Sequence, residues 1–396
     1  MHMMQGVLPR AALNAQLFRM NEGYRSAGIS RYTYHLLREL PRAASDFELD
    51  VYSTAAQASQ LFSNITLRTT RLPVHKPLAR ILWEQTLFAW NLFQKNYALL
   101  HSLAYVLPLL NATPSVVTVY DLSFIIYPEY FRPFQRLYLR FGTHTAIQRA
   151  RRIITISEST KRDIVHLSQC DPAKIDVALP GVSSDFFQMI DPIEIEKFRR
   201  ARGLPEHFIL FLGTREPRKN IPSLLRAFAL AKQKIKLPHS LVLAGGRGWM
   251  DEPITRVIVE NNLQSDVLFP GFVAEAELPY WFQAAECFVY PSQYEGFGMP
   301  PLEALASGTP VITSNVSSLP EAVGDAALLV DPKSSMEIAD ALVRVWTDKT
   351  LRQEMKARGV RHARQFTWTR TAQNTAQSYR LALGLPQPAT AITQFP

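Results

Sequence analysis

The sequence predicts an α/β protein built as two Rossmann-like domains that face each other across a cleft. Three observations carry that prediction. The chain has 396 residues, more than one ordinary core supports. Its second half alternates short apolar runs with helical segments. A glycine- and proline-rich stretch, YEGFGMPP (294–301), separates one such run from a helix start.

Composition narrows the class. With 47% hydrophobic and 19% charged residues the chain reads as globular. Its two cysteines, Cys170 and Cys287, lie far apart without metal-ligand spacing, which points to a reducing compartment. The N-terminal stretch MHMMQGVLPRAALNAQLF lacks the apolar core and cleavage site of a secretory leader. No run approaches the roughly 18 apolar residues of a membrane span. A cytoplasmic protein is expected.

In the first half, RAALNAQLF (10–18), FELDVYS (47–53), YALLHSL (97–103), SVVTVYD (115–121) and RRIITIS (151–157) read as strands. ISRYTYHLLREL (29–40) reads as a helix with Tyr32, His35, Leu36 and Leu40 on one face. The turn-rich segment 171–188 ends this series, and the junction is expected near Pro180 to Asp191. In the second half, HFILFLG (207–213), SLVLAGG (240–246), DVLFPGFV (266–273), ECFVYPS (286–292), TPVITSN (309–315) and ALLVDP (327–332) read as strands between helices. NIPSLLRAFALAKQKI (220–235) is one such helix, with Asn220 expected as its cap and Pro222 in the first turn. Strands alternating with helices imply parallel sheets with right-handed crossovers. A last helix near Arg370 to Leu383 precedes a tail expected to be flexible.

The net charge of +9 admits nucleic acid, an anionic membrane or phosphorylated substrates as partners. Residues 130–161 carry Arg132, Arg136, Arg140, Arg149, Arg151, Arg152 and Lys161 against one acid, Glu158, with Phe131, Phe134, Tyr138 and Phe141 interleaved. Two readings stay open: a helix with an aromatic core face and a solvated basic face, or a surface touching anionic lipid headgroups.

The strand HFILFLG runs into TREPRKN (214–220), which sets Arg215, Arg218 and Lys219 between a strand end and a helix start. Cationic side chains and helix N-termini both stabilise a diphosphate. The helix starting near Pro301 adds a second positive dipole end, and Gly296 and Gly298 let backbone amides approach a ligand. Glu295 could accept from sugar hydroxyls, and Glu303 could hold a ribose diol. Glu303 is also explained as a first-turn charge worth about 0.3–1 kcal/mol, and Glu295 as an ordinary loop acid. These residues describe a nucleoside-diphosphate site and no more.

YEGFGMPPLEALASGTPVI (294–312) resembles the glutamate, seven residues, glutamate motif of the retaining glycosyltransferases of family four, which have the GT-B fold. The likeness covers most of the chain. GTREPRKN resembles the family's diphosphate loop, with Arg215 where leucine is common, and VLFPGFVAEAEL resembles the segment that meets the nucleoside base. SAGISRYTYHLLREL, RILWEQ, IITISESTKRDI and SSLPEAVGDAALLVDP fit as well. The resemblance implies retaining transfer of a sugar from a nucleotide-diphosphate donor as substrate, with no cofactor and no metal required. Glu303 would bind the ribose, Arg218 and Lys219 the diphosphate with help from Arg215, and Phe272 and Val273 the base. Backbone groups of Phe297, Gly298 and Met299, with Pro300 beside them, would meet the donor sugar, Glu295 its hydroxyls, and Gly28 the donor phosphate. The expected boundaries are 1–185 for an acceptor-side domain, 186–369 for a nucleotide-sugar domain, 370–384 for a helix packing back on the first domain, and 385–396 for the tail.

One departure stands out. The family often has histidine near the reacting carbon in a Val-Val-Thr-Ile-His-Asp-Leu run; here VVTVYDL puts Tyr120 there, followed by Asp121. Tyrosine titrates near about 10 and shuttles protons poorly at neutral pH. His101 is expected at the same cleft edge, positioning the acceptor, although a lone histidine is also read as an ordinary packed or surface residue. Three functions are weighed: transfer, a nucleotide-sugar-binding homologue impaired by Tyr120, and nucleic-acid binding, for which no motif is present. The two-glutamate motif argues against a sugar epimerase of the same fold. The donor stays open between GDP-mannose and UDP-glucose, the bacterial mannosyltransferases being the nearer likeness. The acceptor is expected to be a glycan or lipid-linked glycan, with peripheral contact to the inner face of the membrane through 130–161.

Overall fold

A computed structural model describes residues 8–18, 27–54, 62, 64–70, 72–74, 76–246, 248 and 252–387. Its contacts divide the chain into two units. One comprises residues 1–20, 28–179 and 368–396; the other comprises 21–27 and 180–367.

The first unit is built on a seven-stranded sheet: β1 (Arg10–Asn14), β2 (Glu48–Tyr52), β3 (Thr66–Arg68), β4 (Leu99–Ser102), β5 (Ser115–Val119), β6 (Arg152–Thr155) and β7 (Ile175–Val177). Every pairing is parallel, in the order β3-β2-β1-β4-β5-β6-β7. All five residues of β5 are buried, because helices cover both faces of a parallel sheet and leave no alternation. RAALNAQLF was expected as one strand to Phe18, but pairing stops at Asn14. β3 was not expected. Nor was β7, which lies inside the turn-rich segment 171–188 and is only three residues long.

The expected helix over 29–40 runs Ala27–Ala43 and buries Tyr32, His35, Leu36 and Leu40. The helix Trp368–Leu383 belongs to this first unit and packs along β4 to β7. Ser378 donates to Asp176 at 2.7 Å, Asn374 donates to the Val177 carbonyl at 3.0 Å, and Arg380 pairs with Asp46. Trp368 stacks on His35 with centroids 4.6 Å apart.

The second unit holds β8 (Phe208–Leu212), β9 (Ser240–Ala244), β10 (Val267–Gly271), β11 (Cys287–Tyr290), β12 (Val311–Ser314) and β13 (Leu328–Val330). These six strands are also all parallel, in the order β10-β9-β8-β11-β12-β13. Both sheets are therefore doubly wound, as expected. The strand order reverses between β1 and β4 in the first and between β8 and β11 in the second. At such a switch point the chain leaves the sheet in opposite directions, which opens a crevice beyond the strands' carboxyl ends.

The basic segment forms the helix Pro133–Arg149, with Pro133 in its first turn. Its aromatic residues divide between the two readings: Phe131 packs against the core and Tyr138 is half-buried. Phe134 and Phe141 are exposed, as is Leu137, and they share the surface with Arg132, Arg136 and Arg140. The remaining arginines serve the fold: Arg149 donates to the carbonyls of Leu109 and Asn111, Arg151 to that of Ala382, and Arg152 pairs with Asp176. Beside this helix, residues 77–95 expose Leu78, Leu82, Leu87, Trp90 and Phe93. Tyr138 donates to Glu84 at 3.2 Å, which links the two helical segments. Among the described residues no helix is long and apolar enough to cross a membrane.

Candidate functional site

The loops that follow β8 and β11 flank the switch point of the second sheet, and they are the two loops singled out in the sequence. Lys219 is buried, yet its Nζ lies 2.6 Å from Glu295 Oε1 and also donates to the Tyr290 hydroxyl. Arg218 donates to Glu295 Oε2 at 2.8 Å, to the Tyr294 carbonyl at 3.0 Å and to Glu216 at 3.1 Å. Glu295 Oε1 also accepts from Ser292 at 2.6 Å and from Tyr290 at 3.1 Å. One carboxylate thus holds two cations that enter from the other loop.

Burial pushes the Glu295 carboxyl up. The charges of Arg218 and Lys219, with hydrogen bonds from Lys219 and Ser292, outweigh that and hold it at about 2. Burial and the Arg218 charge push Lys219 below its ordinary value, with Glu295 pulling the other way. The Tyr290 hydroxyl is raised by burial and by the Glu295 charge, so it stays a protonated donor. Glu295 was expected to accept from sugar hydroxyls. Here Oε1 accepts three donors from the protein and Oε2 accepts Arg218, so its role within the fold is to fix the two cations.

The backbone around the cluster is held closely. The Glu295 amide donates to Ser317 at 3.1 Å, and the Ser318 hydroxyl donates to the carbonyls of Glu295 and Phe297, each at 2.8 Å. Gly298 has φ +114°, a conformation that favours glycine, and a Cβ there would also press on Leu319 Cδ2 at 2.8 Å. The helix Met299–Ala306 begins at once. Pro300 and Pro301 contribute no N–H, so backbone donation from this turn comes from the residues before them. Glu303 is buried one turn into that helix.

Arg215 lies with its guanidinium 4.9 Å from the centre of the Phe269 ring. Its loop is pinned to the one after β9: the Arg215 amide donates to Gly246 at 3.2 Å, and a Cβ on Gly248 would meet the Arg215 carbonyl oxygen at 2.0 Å. Beyond β10, Phe272 is exposed and Val273 is buried. Asn220 stands at the N-cap position of the helix Ile221–Ile235 but does not cap it. It adopts φ 59°, and its side chain donates to the carbonyls of Pro291 and Pro332 at 3.2 and 2.6 Å. It stitches the two loops together instead.

Gly28, Tyr120, Asp121 and His101 belong to the first unit. Gly28 is exposed in the first turn of its helix. Tyr120 is buried at the end of β5, edge-on to Tyr32 at 5.4 Å and near Tyr105 at 5.8 Å. Burial raises its hydroxyl's pKa, with Thr33 acting in the opposite direction. Asp121 accepts from the Ser123 amide at 2.9 Å and its hydroxyl at 2.6 Å, which fixes the turn into the helix Ser123–Ile126. His101 corrects its expectation. It is fully buried in the middle of the sheet, with Nδ1 2.7 Å from the Tyr379 hydroxyl and Nε2 2.9 Å from Thr118 Oγ1. Burial holds it near about 3, hence neutral. It is a satisfied core residue and cannot reach an acceptor.

Sequence reading missed Tyr290, Ser292 and the loop-bridging role of Asn220. Tyr290 was hidden as the last letter of an apolar strand. The signal for it was position: the last residue of a strand at a switch point faces the site. In the first unit the reading also missed a cavity beyond β1 and β4, lined by Asn14, Gln16, Arg80, Glu84, Tyr105 and Tyr138. Gln16 is 3% exposed, and neither end of its amide has a hydrogen-bond partner. Glu84 accepts from Asn14 at 3.1 Å and from Tyr138; burial raises its carboxyl against the Arg80 charge and these hydrogen bonds.

Comparison with known proteins agrees with this architecture. The family models described as Glycosyl transferases group 1 and Glycosyltransferase Family 4 match residues 193–362 and 26–186 respectively. The chain is 31% identical over 374 residues to an O-antigen chain mannosyltransferase B of Escherichia coli, covering 90% of this chain and 97% of that one. It is 28% identical over 332 residues to the O-antigen chain mannosyltransferase RfbU of Salmonella typhimurium, covering 82% and 88%. Its fold matches a sucrose-phosphate synthase from Thermosynechococcus elongatus with a TM-score of 0.72 at 24% identity, over 94% of this chain and 98% of that one. The two parallel-sheet domains are those of the GT-B fold, and the chain belongs to the family 4 glycosyltransferases.

Proposed function

We propose that this chain is a retaining mannosyltransferase that moves mannose from GDP-mannose to a hydroxyl of a membrane-proximal or lipid-linked glycan in polysaccharide synthesis. The observation that carries the reading is the Arg218–Glu295–Lys219 cluster at the switch point of the second sheet. A nucleoside diphosphate at those loops meets two preset cations and the N-terminus of the helix Met299–Ala306. In transfer, the bond from sugar C1 to the β-phosphate oxygen breaks as C1 bonds the acceptor oxygen. The acceptor proton passes to the departing diphosphate, whose charge Arg218 and Lys219 stabilise. This scheme requires no metal. Glu303, one turn into the helix, serves the ribose, and Phe272 the base.

The acceptor belongs to the first unit, whose switch point opens on the cavity of Gln16, Glu84 and Tyr138. An unpaired buried amide and a buried carboxyl suit the hydroxyls of a sugar ring. The exposed apolar side chains of 77–95, beside Arg132, Arg136 and Arg140, suit a bilayer surface with anionic headgroups.

The test is a thermal-shift screen against GDP, UDP, ADP, dTDP and their sugar conjugates, followed by transfer from the donor that binds and determination of the product anomer by NMR. GDP and GDP-mannose should raise the melting temperature most, and the new linkage should keep the donor's α configuration. A shift by UDP alone overturns the donor assignment. Failure of every nucleotide to shift the transition overturns the site.

A further inference from the structure

We propose that His207, His239 and Glu286 form a binding site for one transition-metal dication, with the ligand preferences of Zn²⁺, at the end of the second sheet opposite the loops that carry Glu295. Each of the three immediately precedes a strand: His207 leads into β8, His239 into β9 and Glu286 into β11. Those strands are consecutive neighbours. The Ser240 amide donates to the His207 carbonyl at 3.1 Å, and the Glu286 amide to the Phe208 carbonyl at 3.0 Å, so all three sit at one level. Neighbouring strands lie about 4.8 Å apart, and three such positions can aim their side chains at one point. One ligand atom from each residue lies within 4.8 Å of the other two.

The pairs are already close. His207 Nδ1 is 3.1 Å from Glu286 Oε1, and the two imidazole centroids are 5.7 Å apart. A second, independent observation comes from His239. It is 2% exposed, and its Nδ1 has no hydrogen-bond partner, a cost that a buried polar atom seldom carries without purpose. Trp346, edge-on at 4.1 Å, fixes the orientation of that ring.

Two cations lie nearby and both are engaged elsewhere. Arg352 donates to the carbonyls of Val345 and Trp346, and Lys232 pairs with Asp266 at 2.6 Å. Glu286 remains to balance the metal. Two imidazoles and one carboxylate select zinc-like ions over magnesium or calcium. Metal–ligand bonds of about 2.0–2.2 Å need the groups to close by roughly 1 Å. His207 and Glu286, with side chains 41% and 35% exposed, can make that movement and leave the fourth position to water. The ion would tie the amino ends of β8, β9 and β11 together, a structural role separate from transfer and independent of the donor.

The test uses the full chain freed of metal with a chelator and titrated with Co²⁺. One ion per chain should bind, giving the visible absorption of a four-coordinate site, and Zn²⁺ should displace it and raise the melting temperature. His207→Ala and Glu286→Gln act at half-exposed positions; each should weaken Co²⁺ binding at least about tenfold while leaving the metal-free melting temperature and the far-UV circular dichroism unchanged. The proposal is overturned if Co²⁺ keeps the pale spectrum of the aqueous ion, or if both variants bind it as the wild type does.

Discussion

Lys219 and Glu295 stand 76 positions apart in the chain, and their charged atoms are 2.6 Å apart in a buried setting. Neither residue could be held there alone, since an uncompensated buried charge costs several kcal/mol. Arg218 on the other carboxylate oxygen completes the cluster.

Substituting Glu295→Gln takes the paired carboxylate from Lys219 and leaves Arg218 with Glu216. Unfolding in urea should show a loss of about 3–5 kcal/mol, and nucleotide binding should fall with it. A variant as stable as the wild type would show that the cluster contributes nothing to the fold.

Acid should reveal the same group. Its folded pKa, at about 2, lies below its unfolded value of about 4.3. The unfolded chain therefore takes up its proton first, and the stabilisation from Glu295 is present above about pH 4.3 and lost as pH falls towards 2. Denaturant midpoints measured from pH 6 to pH 2 should drop more steeply for the wild type than for Glu295→Gln. Parallel curves would contradict the assignment.

Lys219→Ala should cut turnover by about 10²–10³, the usual cost of losing one charge stabiliser aimed at a leaving group. If Arg218 and the helix terminus share donor recognition as proposed, kcat should fall more than KM rises. Steady-state kinetics with the donor found in the thermal screen decides it.

Glu303→Ala should weaken donor binding about 10–100-fold, the loss of the proposed hydrogen bonds that the ribose diol donates to a charged acceptor. Calorimetry with the nucleoside diphosphate reads this directly. Unchanged affinity would move the ribose away from the helix Met299–Ala306.

The exposed face of the first unit should partition onto vesicles that contain phosphatidylglycerol. Trp90→Ser combined with Phe93→Ser should reduce co-sedimentation at least about tenfold, since each buried apolar side chain is worth about 1.5–3 kcal/mol. Added salt should weaken binding through the arginines. Equal sedimentation by wild type and variant would remove this surface from the membrane.

Much of the second unit was legible in the sequence because its strands are short, apolar and bounded by glycine or proline. The TREPRKN loop and the two-glutamate loop were legible for the same reason, each standing between a strand and a helix. The short strands β3 and β7 were not, because three residues carry too little periodicity to separate a strand from a turn. His101 shows a different limit: HSLAYVLP gives no sign that the histidine lies under a helix some 278 positions later, where Tyr379 meets it.

By itself the sequence determined the class of fold, the two loops of the site and the identity of the charged residues in them, because these depend on local pattern and residue chemistry. Only the tertiary structure decided which groups each charge pairs with. It turned Glu295 from an open acceptor into the anchor of Lys219 and Arg218, and Asn220 from a cap into a bridge between loops. It also set three ligand-type side chains side by side at the far end of the sheet. Parallel pairing aligns residues distant in sequence, and a burial cost met by a partner from another loop leaves no trace in either segment alone.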